Sequence, residues 1–144
     1  MGIEGLFAKG TIPVLEKALA FHERRHALLA QNIANVSTPD YRPVDLDEGE
    51  FQSLLRQAAG KQQAEHPRRF TLGASEHFSM REDGALQARA EAIREGQTRH
   101  DGNPFNVERE MVRLADNTLA YERAAQLLTG SYKLLEMAIR GRAG

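Results

Sequence analysis

Residues 106–140 read NVEREMVRLADNTLAYERAAQLLTGSYKLLEMAIR, and this segment decides the fold of the chain. Its apolar and small residues recur at alternating steps of four and three, which is the spacing of the contact positions in a coiled coil. Asn106 stands where a residue that caps a helix N-terminus is expected. The spacing predicts one long helix with contact positions at Val107, Met111, Leu114, Thr118, Tyr121, Ala125, Leu128, Tyr132, Leu135 and Ile139.

The length of this helix constrains the shape of the molecule. At ~1.5 Å per residue a helix over 106–140 would be about 50 Å long. A compact protein of this size has a radius of gyration of only about 14–15 Å. We therefore expect either a kinked helix or an elongated molecule that assembles along its length, because an apolar helix face needs a packing partner.

A second heptad pattern lies near the N-terminus. Thr11 is predicted to cap this helix, with Pro13 in its first turn. The residues before Thr11 are expected to form no more than a frayed turn or one helical turn. Ser37-Thr38-Pro39 ends the helix, because a residue before proline avoids the helical region. The contact positions are apolar at the two ends and polar in the middle: Ile12, Leu15, Leu19, His22, His26, Leu29, Ile33 and Val36.

The middle of the chain, 37–103, carries weaker patterns. The segment Glu48–Ala59 places its apolar residues on one face, which predicts a short amphipathic helix closed by Gly60. Phe70-Thr71-Leu72 is the best strand candidate. Gly84–Glu95 is rich in Ala, Arg and Glu, so that intrinsic propensity favours a helix there.

Together these patterns predict a mainly α fold. Long N- and C-terminal helices pair as an elongated coiled-coil domain around a partly irregular insert with a short helix and candidate short strands. The two helices are expected to pair with each other in antiparallel orientation, connected by the insert, or to pair with helices of neighbouring subunits. The predicted division is 1–36 for the N-terminal helical part, 37–103 for the insert and 104–144 for the C-terminal helix.

The composition excludes several classes of function. The chain has 19 basic and 20 acidic residues, and no segment is basic enough to predict a nucleic acid partner. Because cysteine is absent, disulfides and thiolate metal sites are excluded. No window approaches the roughly 18 apolar residues of a membrane span, and 10–30 carries too many charges for a cleaved secretory signal.

The sequence His22-Glu23-Arg24-Arg25-His26 matches H-E-x-x-H, a pattern that puts two imidazoles and a general base on one helix face for zinc. Zinc peptidases resemble one another in having uncharged residues between the histidines, whereas both are arginine here. The longer metzincin pattern needs Gly and His where this chain has Leu29 and Asn32. A carboxylate third ligand would have to come from Asp45, Asp47, Glu48 or Glu50.

The other interpretation of His22 and His26 is that they are polar members of the helix seam. There they would fix the register at some cost in stability and could make assembly sensitive to acid, since histidine titrates near pH ~6.5. No other group in the sequence resembles an active site. We therefore predict no enzyme, no catalytic or metal site, no cofactor and no small-molecule substrate, with a zinc metallopeptidase as the alternative.

Two stretches, one toward each end of the chain, match known motifs. Residues 31–42 read QNIANVSTPDYR, which is similar to the rod motif A-N-x-x-T-P-G-Y of the bacterial flagellar axial proteins. Asp101-Gly102-Asn103, then VEREM at 107–111, Asn117 and Tyr121, is similar to the C-terminal axial signature. The opening IPVLEKAL at 12–19 and the short length resemble the proximal-rod subunits, the FlgB family. The rod-motif residues are Asn32, Ala34, Asn35, Thr38, Pro39 and Tyr41.

One position departs from the family pattern. The family turn has Gly after Pro, and this chain has Asp40. A type II turn needs a positive φ at that position, which Asp tolerates less well than Gly. We therefore expect a type I turn or a modestly strained backbone. The resemblance also implies extended chain before the final helix, against the helical propensity of Gly84–Glu95, and both remain open.

The resemblance implies a non-enzymatic structural subunit of the flagellar basal-body rod in the periplasm. Such subunits are exported unfolded by the flagellum-specific type III apparatus without a cleaved signal, and stack helically through their terminal helices. The implied partners are further copies, other rod subunits, and the rod-base adapter beside the export gate. A soluble coiled-coil adapter that never assembles is a further alternative. The expected assembly residues are Ile12, Leu15, Leu19, Leu29, Ile33, Val107, Met111, Leu114, Tyr121, Leu128, Tyr132, Leu135 and Ile139.

Overall fold

Long helices near the two ends of the chain dominate the computed structural model, which describes residues 3–64, 70–93 and 106–141. Two antiparallel pairs of short strands, β1 with β4 and β2 with β3, lie in the part between these helices. The predicted mainly α fold is thereby confirmed. The elements in chain order are α1 (Ile3–Ala34), β1 (Val44–Asp45), α2 (Glu48–Ala64), β2 (Phe78–Met80), β3 (Leu86–Ala88), β4 (Glu91–Ala92) and α3 (Val107–Gly141).

The start of α1 differs from the prediction. The helix begins at Ile3 rather than at Thr11, and Pro13 lies inside it rather than in its first turn. A proline removes a single backbone donor from the helix ladder, so it can lie within a helix that other contacts hold. The end of α1 at Ala34 agrees with the predicted stop just before Pro39.

The bounds of α2 were also predicted too short, because the helix continues through Gly60 to Ala64. Its start is well defined: the backbone N–H of Glu50 donates to Oδ1 of Asp47 over 2.8 Å, as in an N-cap. Gly60 costs a helix about 1 kcal/mol relative to Ala. The apolar face of α2, with Phe51 buried at its start, is held against the core on the N-terminal side of that glycine.

The segment Gly84–Glu95 is not helical over its described residues. Gly84 has a φ of +81° and turns the chain from β2 into β3, and β4 follows at Glu91–Ala92. Leu86, Ala88 and Ala90 alternate with exposed residues and pack against the core. The period of two therefore outweighs helix propensity.

Phe70-Thr71-Leu72 was predicted as a strand and is irregular instead. Leu72 nevertheless lies in the core.

The hydrophobic core joins the insert to the middle of α1. Phe21 is fully buried and stacks on Phe51 with ring centroids 4.2 Å apart, while Phe78 lies tilted against both rings. The insert is thus folded onto α1. The buried cluster consists of Phe21, Leu46, Phe51, Leu54, Ala58, Leu72 and Phe78.

The helices α1 and α3 pair antiparallel, as predicted. Three contacts show this: Glu16 with Tyr132, His22 with Asn117, and Asn32 with Glu110. The numbers rise along α1 as they fall along α3.

The helix α3 has 35 residues and starts as predicted, since Oδ1 of Asn106 accepts a hydrogen bond from the backbone N–H of Glu108 over 2.8 Å. None of the helices, in their described residues, is both long enough and apolar enough to span a membrane.

Phe21→Ala should lower the free energy of unfolding by about 3–5 kcal/mol, because it leaves a cavity between Phe51 and Phe78. Urea denaturation followed by circular dichroism measures this. Leu119→Ala is the control, since that side chain is 55% exposed and its loss should cost no more than about 0.5 kcal/mol. Equal effects of the two substitutions would contradict the position of the core.

Candidate assembly interface

The turn that follows α1 is held by short-range hydrogen bonds. The N–H of Thr38 donates to the carbonyl of Asn35 over 2.9 Å, and the hydroxyl of Thr38 donates to Oδ1 of Asn35 over 3.2 Å. The N–H of Tyr41 closes the next turn on the carbonyl of Thr38. Asp40 has a φ of +59°, which excludes a type I turn. The other expectation, a modestly strained backbone at this residue, is therefore confirmed.

Asn32 connects this turn to the rest of the molecule. Its side chain is fully buried, and its amide nitrogen donates to the carbonyl of Val44 over 2.8 Å and to Oε2 of Glu110 over 3.0 Å. Its amide oxygen accepts from the hydroxyl of Tyr41 over 3.0 Å and from the N–H of Val44 over 3.1 Å. Two donors and two lone pairs are the full hydrogen-bonding capacity of an amide, and all are used.

Glu110 is a buried carboxylate of α3 at this junction, with 3% of the residue exposed. Its second oxygen accepts from Nη1 of Arg113 over 2.6 Å, one helical turn away. A buried carboxylate is tolerated when it is paired and hydrogen-bonded, and Asn32 with Arg113 meets both conditions. Burial raises the pKa of Tyr41, and the charge of Glu110 raises it further, so the Tyr41 hydroxyl stays a donor.

A second polar contact joins the helices two turns further along α3. Nδ1 of His22 lies 2.8 Å from Oδ1 of Asn117, and the amide nitrogen of Asn117 donates to the backbone carbonyl of His22 over 2.8 Å. Because Asn117 presents its oxygen, the Nδ1 of His22 is the donor in this pair. His22 therefore lies in the helix seam, as the second interpretation predicts, whereas His26 is exposed.

Two of the four carboxylates considered as third zinc ligands, Asp45 and Glu48, are bound by Arg25. Nε and Nη2 of Arg25 donate to the two oxygens of Asp45 over 2.8 and 2.9 Å, and Nη1 contacts Glu48. This group ties α1 to β1 and to the start of α2. Among the described residues, no third ligating side chain approaches His22 and His26. The geometry thus gives no support to the zinc peptidase alternative.

The outward surface of α3 is rich in large apolar side chains. Nine of them are exposed in the described part of the helix, and Leu134, Met137 and Ile139 are each 60–63% exposed. We call this set the outer face of α3. It comprises Met111, Val112, Leu119, Tyr121, Leu127, Tyr132, Leu134, Met137 and Ile139.

The predicted assembly residues fall into three groups by burial. Leu15 and Leu29 are buried within the molecule. Seven are half-buried: Ile12, Leu19, Ile33, Val107, Leu114, Leu128 and Leu135. Four belong to the outer face: Met111, Tyr121, Tyr132 and Ile139.

The rod-motif residues divide in the same way. Asn32 is buried, while Asn35 and Tyr41 are half-buried. The other three are exposed at the end of α1 or in the turn: Ala34, Thr38 and Pro39.

The sequence pattern missed the polar half of the α3 seam. The buried residues of α3 are Glu110, Asn117 and Ala124, each one position before a predicted contact residue. A search for apolar residues selects Met111 instead of Glu110, although Met111 is 54% exposed. The available signal was the seven-residue spacing of Glu110 and Asn117, which matches a contact position of polar character.

We compared the chain with known proteins. No protein-family model matches it. The flagellar basal body rod protein FlgB of Cereibacter sphaeroides is 36% identical over 129 residues, which cover 87% of this chain and 90% of that protein. The chain belongs to the FlgB family.

More distant members agree. FlgB of Escherichia coli is 29% identical over 119 residues, covering 82% of this chain and 84% of that protein. FlgB of Bacillus subtilis is 25% identical over 134 residues, covering 92% and 95%. The resemblance stated from the two terminal motifs is therefore confirmed, and the chain is a structural protein of the flagellar basal-body rod.

Asn32→Asp should destabilise the chain by about 3–5 kcal/mol near neutral pH, because it removes the two amide donors and sets a second carboxylate against Glu110. This destabilisation should become smaller as the pH falls toward about 4, because protonation of the introduced carboxylate removes its repulsion with Glu110. Urea denaturation at several pH values measures both effects. Gln31→Glu makes the same change on an exposed side chain and should be nearly neutral. If Asn32→Asp left the free energy of unfolding unchanged, the hydrogen bonds assigned to Asn32 between α1 and α3 would be refuted.

Proposed function

We propose that the chain builds the rod by packing the outer face of α3 against other copies and other rod subunits. The inner face of α3 pairs with α1 of the same molecule. Terminal helices would then carry assembly, while the insert stays folded on α1. This role uses the apolar side chains that the single molecule leaves in water.

The observation that carries the proposal is the concentration of exposed apolar residues on one helix. Contiguous exposed apolar surface marks interaction sites in soluble proteins. Leu127 and Leu134 are seven residues apart, and Tyr132 and Ile139 repeat the same spacing. In a heptad repeat these two pairs lie on opposite flanks of the α1 contact. Each flank thus offers a separate helix-packing surface, which suits a subunit with two neighbours.

The polar seam supports the same division of roles. Asn32 with Glu110 and His22 with Asn117 fix how α3 lies on α1. Polar pairs at seam positions specify register but add little hydrophobic stabilisation. A soluble adapter that never assembles would instead gain by turning its large apolar residues inward and presenting polar ones to water.

The finer points of this proposal rest on the family resemblance. We propose that the subunit is exported unfolded through the type III apparatus without a cleaved signal and is incorporated into the periplasmic part of the rod. The rod-base adapter next to the export gate is the proposed partner at the start of assembly. The exposed turn at Thr38–Pro39 and the exposed end of α3 are the surfaces we would assign to such contacts.

Leu134→Asp should abolish swimming in cells that lack their own rod subunit of this type, because it places a charge on the outer face. The purified variant should keep its stability to urea within about 0.5 kcal/mol, since Leu134 is 61% exposed. Soft-agar motility and urea denaturation are the two measurements. Leu128 is less suitable, because it is half-buried against α1 and its loss would also affect folding.

Gln57→Asp is the matched control, since it introduces the same charge on an exposed position of α2. It should leave both motility and stability unchanged. Normal swimming with Leu134→Asp would refute the assignment of the outer face. Loss of swimming with both variants would show that any added charge is harmful and would remove the support for α3.

A further inference from the structure

His77, the residue immediately before β2, lies between two carboxylates from different elements. Its Nδ1 is 2.6 Å from Oε2 of Glu50 in α2, and its Nε2 contacts Oε1 of Glu91 in β4. The imidazole is 10% exposed, compared with 23% for Glu50 and 42% for Glu91. The ring therefore bridges α2 and β4 with both of its nitrogen atoms.

Both ring nitrogens of His77 can donate hydrogen bonds to their carboxylates only when the imidazole is protonated. A neutral imidazole has one N–H donor and one lone pair, whereas the imidazolium has two donors. In the neutral state one nitrogen would present its lone pair to an anionic oxygen, which is repulsive. We propose that His77 is a proton-operated clasp, which holds α2 to β4 while it is protonated and releases one carboxylate when it loses a proton.

The charged groups around the ring favour the closed clasp. Besides Glu50 and Glu91, the carboxylate of Glu76 lies close. A carboxylate oxygen of Glu76, a ring nitrogen of His77 and a carboxylate oxygen of Glu91 all lie within 4.8 Å of one another. From the strand side, the backbone N–H of Arg89 donates to the carbonyl of His77 over 2.8 Å, and the Arg89 side chain is exposed. Three carboxylates thus surround one imidazole.

The direction of the pH effect follows from the two partners. The hydrogen bond to Glu50 raises the pKa of His77, partly opposed by burial and reinforced by the charge of Glu91. The clasp therefore contributes its full stabilisation below the ordinary histidine value of ~6.5, and loses it as the pH rises through the raised pKa. Burial would raise the pKa of Glu50, but hydrogen bonds from Ser75 and His77 outweigh it and lower the pKa. On the acid side, stabilisation is therefore lost as the pH falls through that lowered pKa.

The clasp is placed where its opening would affect the insert. Phe78, the next residue, is buried in the core, and Glu91 lies opposite Asp45 in the β1–β4 pair. Asp45 in turn binds Arg25 of α1. Loss of one carboxylate contact at His77 would loosen β4 and the β2–β3 hairpin first. The clasp works in a single molecule, so its test does not depend on rod assembly.

The test combines two measurements on the whole chain. The NMR titration of the His77 ring should give a higher midpoint in the folded chain than in the same chain unfolded in urea. Urea denaturation from about pH 5 to about pH 9 should show the free energy of unfolding falling through the upper part of this range. Amide exchange of Arg89, whose N–H bonds His77, should become faster over the same interval.

His77→Gln should abolish the decline in stability at high pH, while His26→Gln, the same change on an exposed histidine, should preserve it. Glu91→Gln is the milder variant if His77→Gln fails to fold, because Glu91 is partly exposed; it should lower the His77 midpoint. An equal His77 midpoint in the folded and unfolded chains would overturn the proposal. A decline that persists in His77→Gln would overturn it as well.

Discussion

The side-chain amide of Asn32 is the constraint on which the arrangement of the helices depends. It lies fully buried where α1 ends and bonds the turn through Tyr41, the entry to β1 through Val44, and α3 through Glu110. A buried carboxylate without partners would cost several kcal/mol, so Glu110 fixes its own position by needing this amide. A slip of α3 by one residue would break the Asn32–Glu110 hydrogen bond and leave the buried carboxylate without this partner.

Stability and register therefore come from different parts of the molecule. The buried aromatic cluster around Phe21 provides the apolar burial, and it joins α1 to the insert rather than to α3. Within its described residues, α3 contributes Ala124 as its buried hydrophobic residue, beside Glu110 and Asn117. Nine of its large apolar side chains are exposed in the single molecule. A helix that buries little of its apolar surface in the monomer would gain packing in the assembly that we propose.

Much of this fold could be predicted from local pattern. The cap at Asn106 and the antiparallel helix pair follow from spacing and end signals, which act locally. The register of α3 could not be predicted in the same way. A seam that buries Glu110 and Asn117 is stabilised by partners on α1, and those partners are known only once both helices are placed.

Other errors in the prediction have the same origin in long-range contacts. Residues 84–92 have the composition of a helix, but alternate side chains pack on a core made by distant residues, so the extended form is preferred. The Arg25 group was missed because its partners, Asp45 and Glu48, are brought near by the turn after α1.

The antiparallel pairing also gives the molecule two different poles. The insert packs on α1 from its C-terminal end back to about Lys17, whose ammonium group bonds the carbonyl of Gly84. Among the described contacts beyond that point, Glu16 of α1 pairs with Tyr132 of α3, and Leu134, Met137 and Ile139 are exposed near the end of α3. One pole thus carries the folded insert, and the other exposes apolar side chains of α3. If copies stack head to tail in the assembly that we propose, the filament has a direction, and its two tips expose different surfaces to the next subunit that adds.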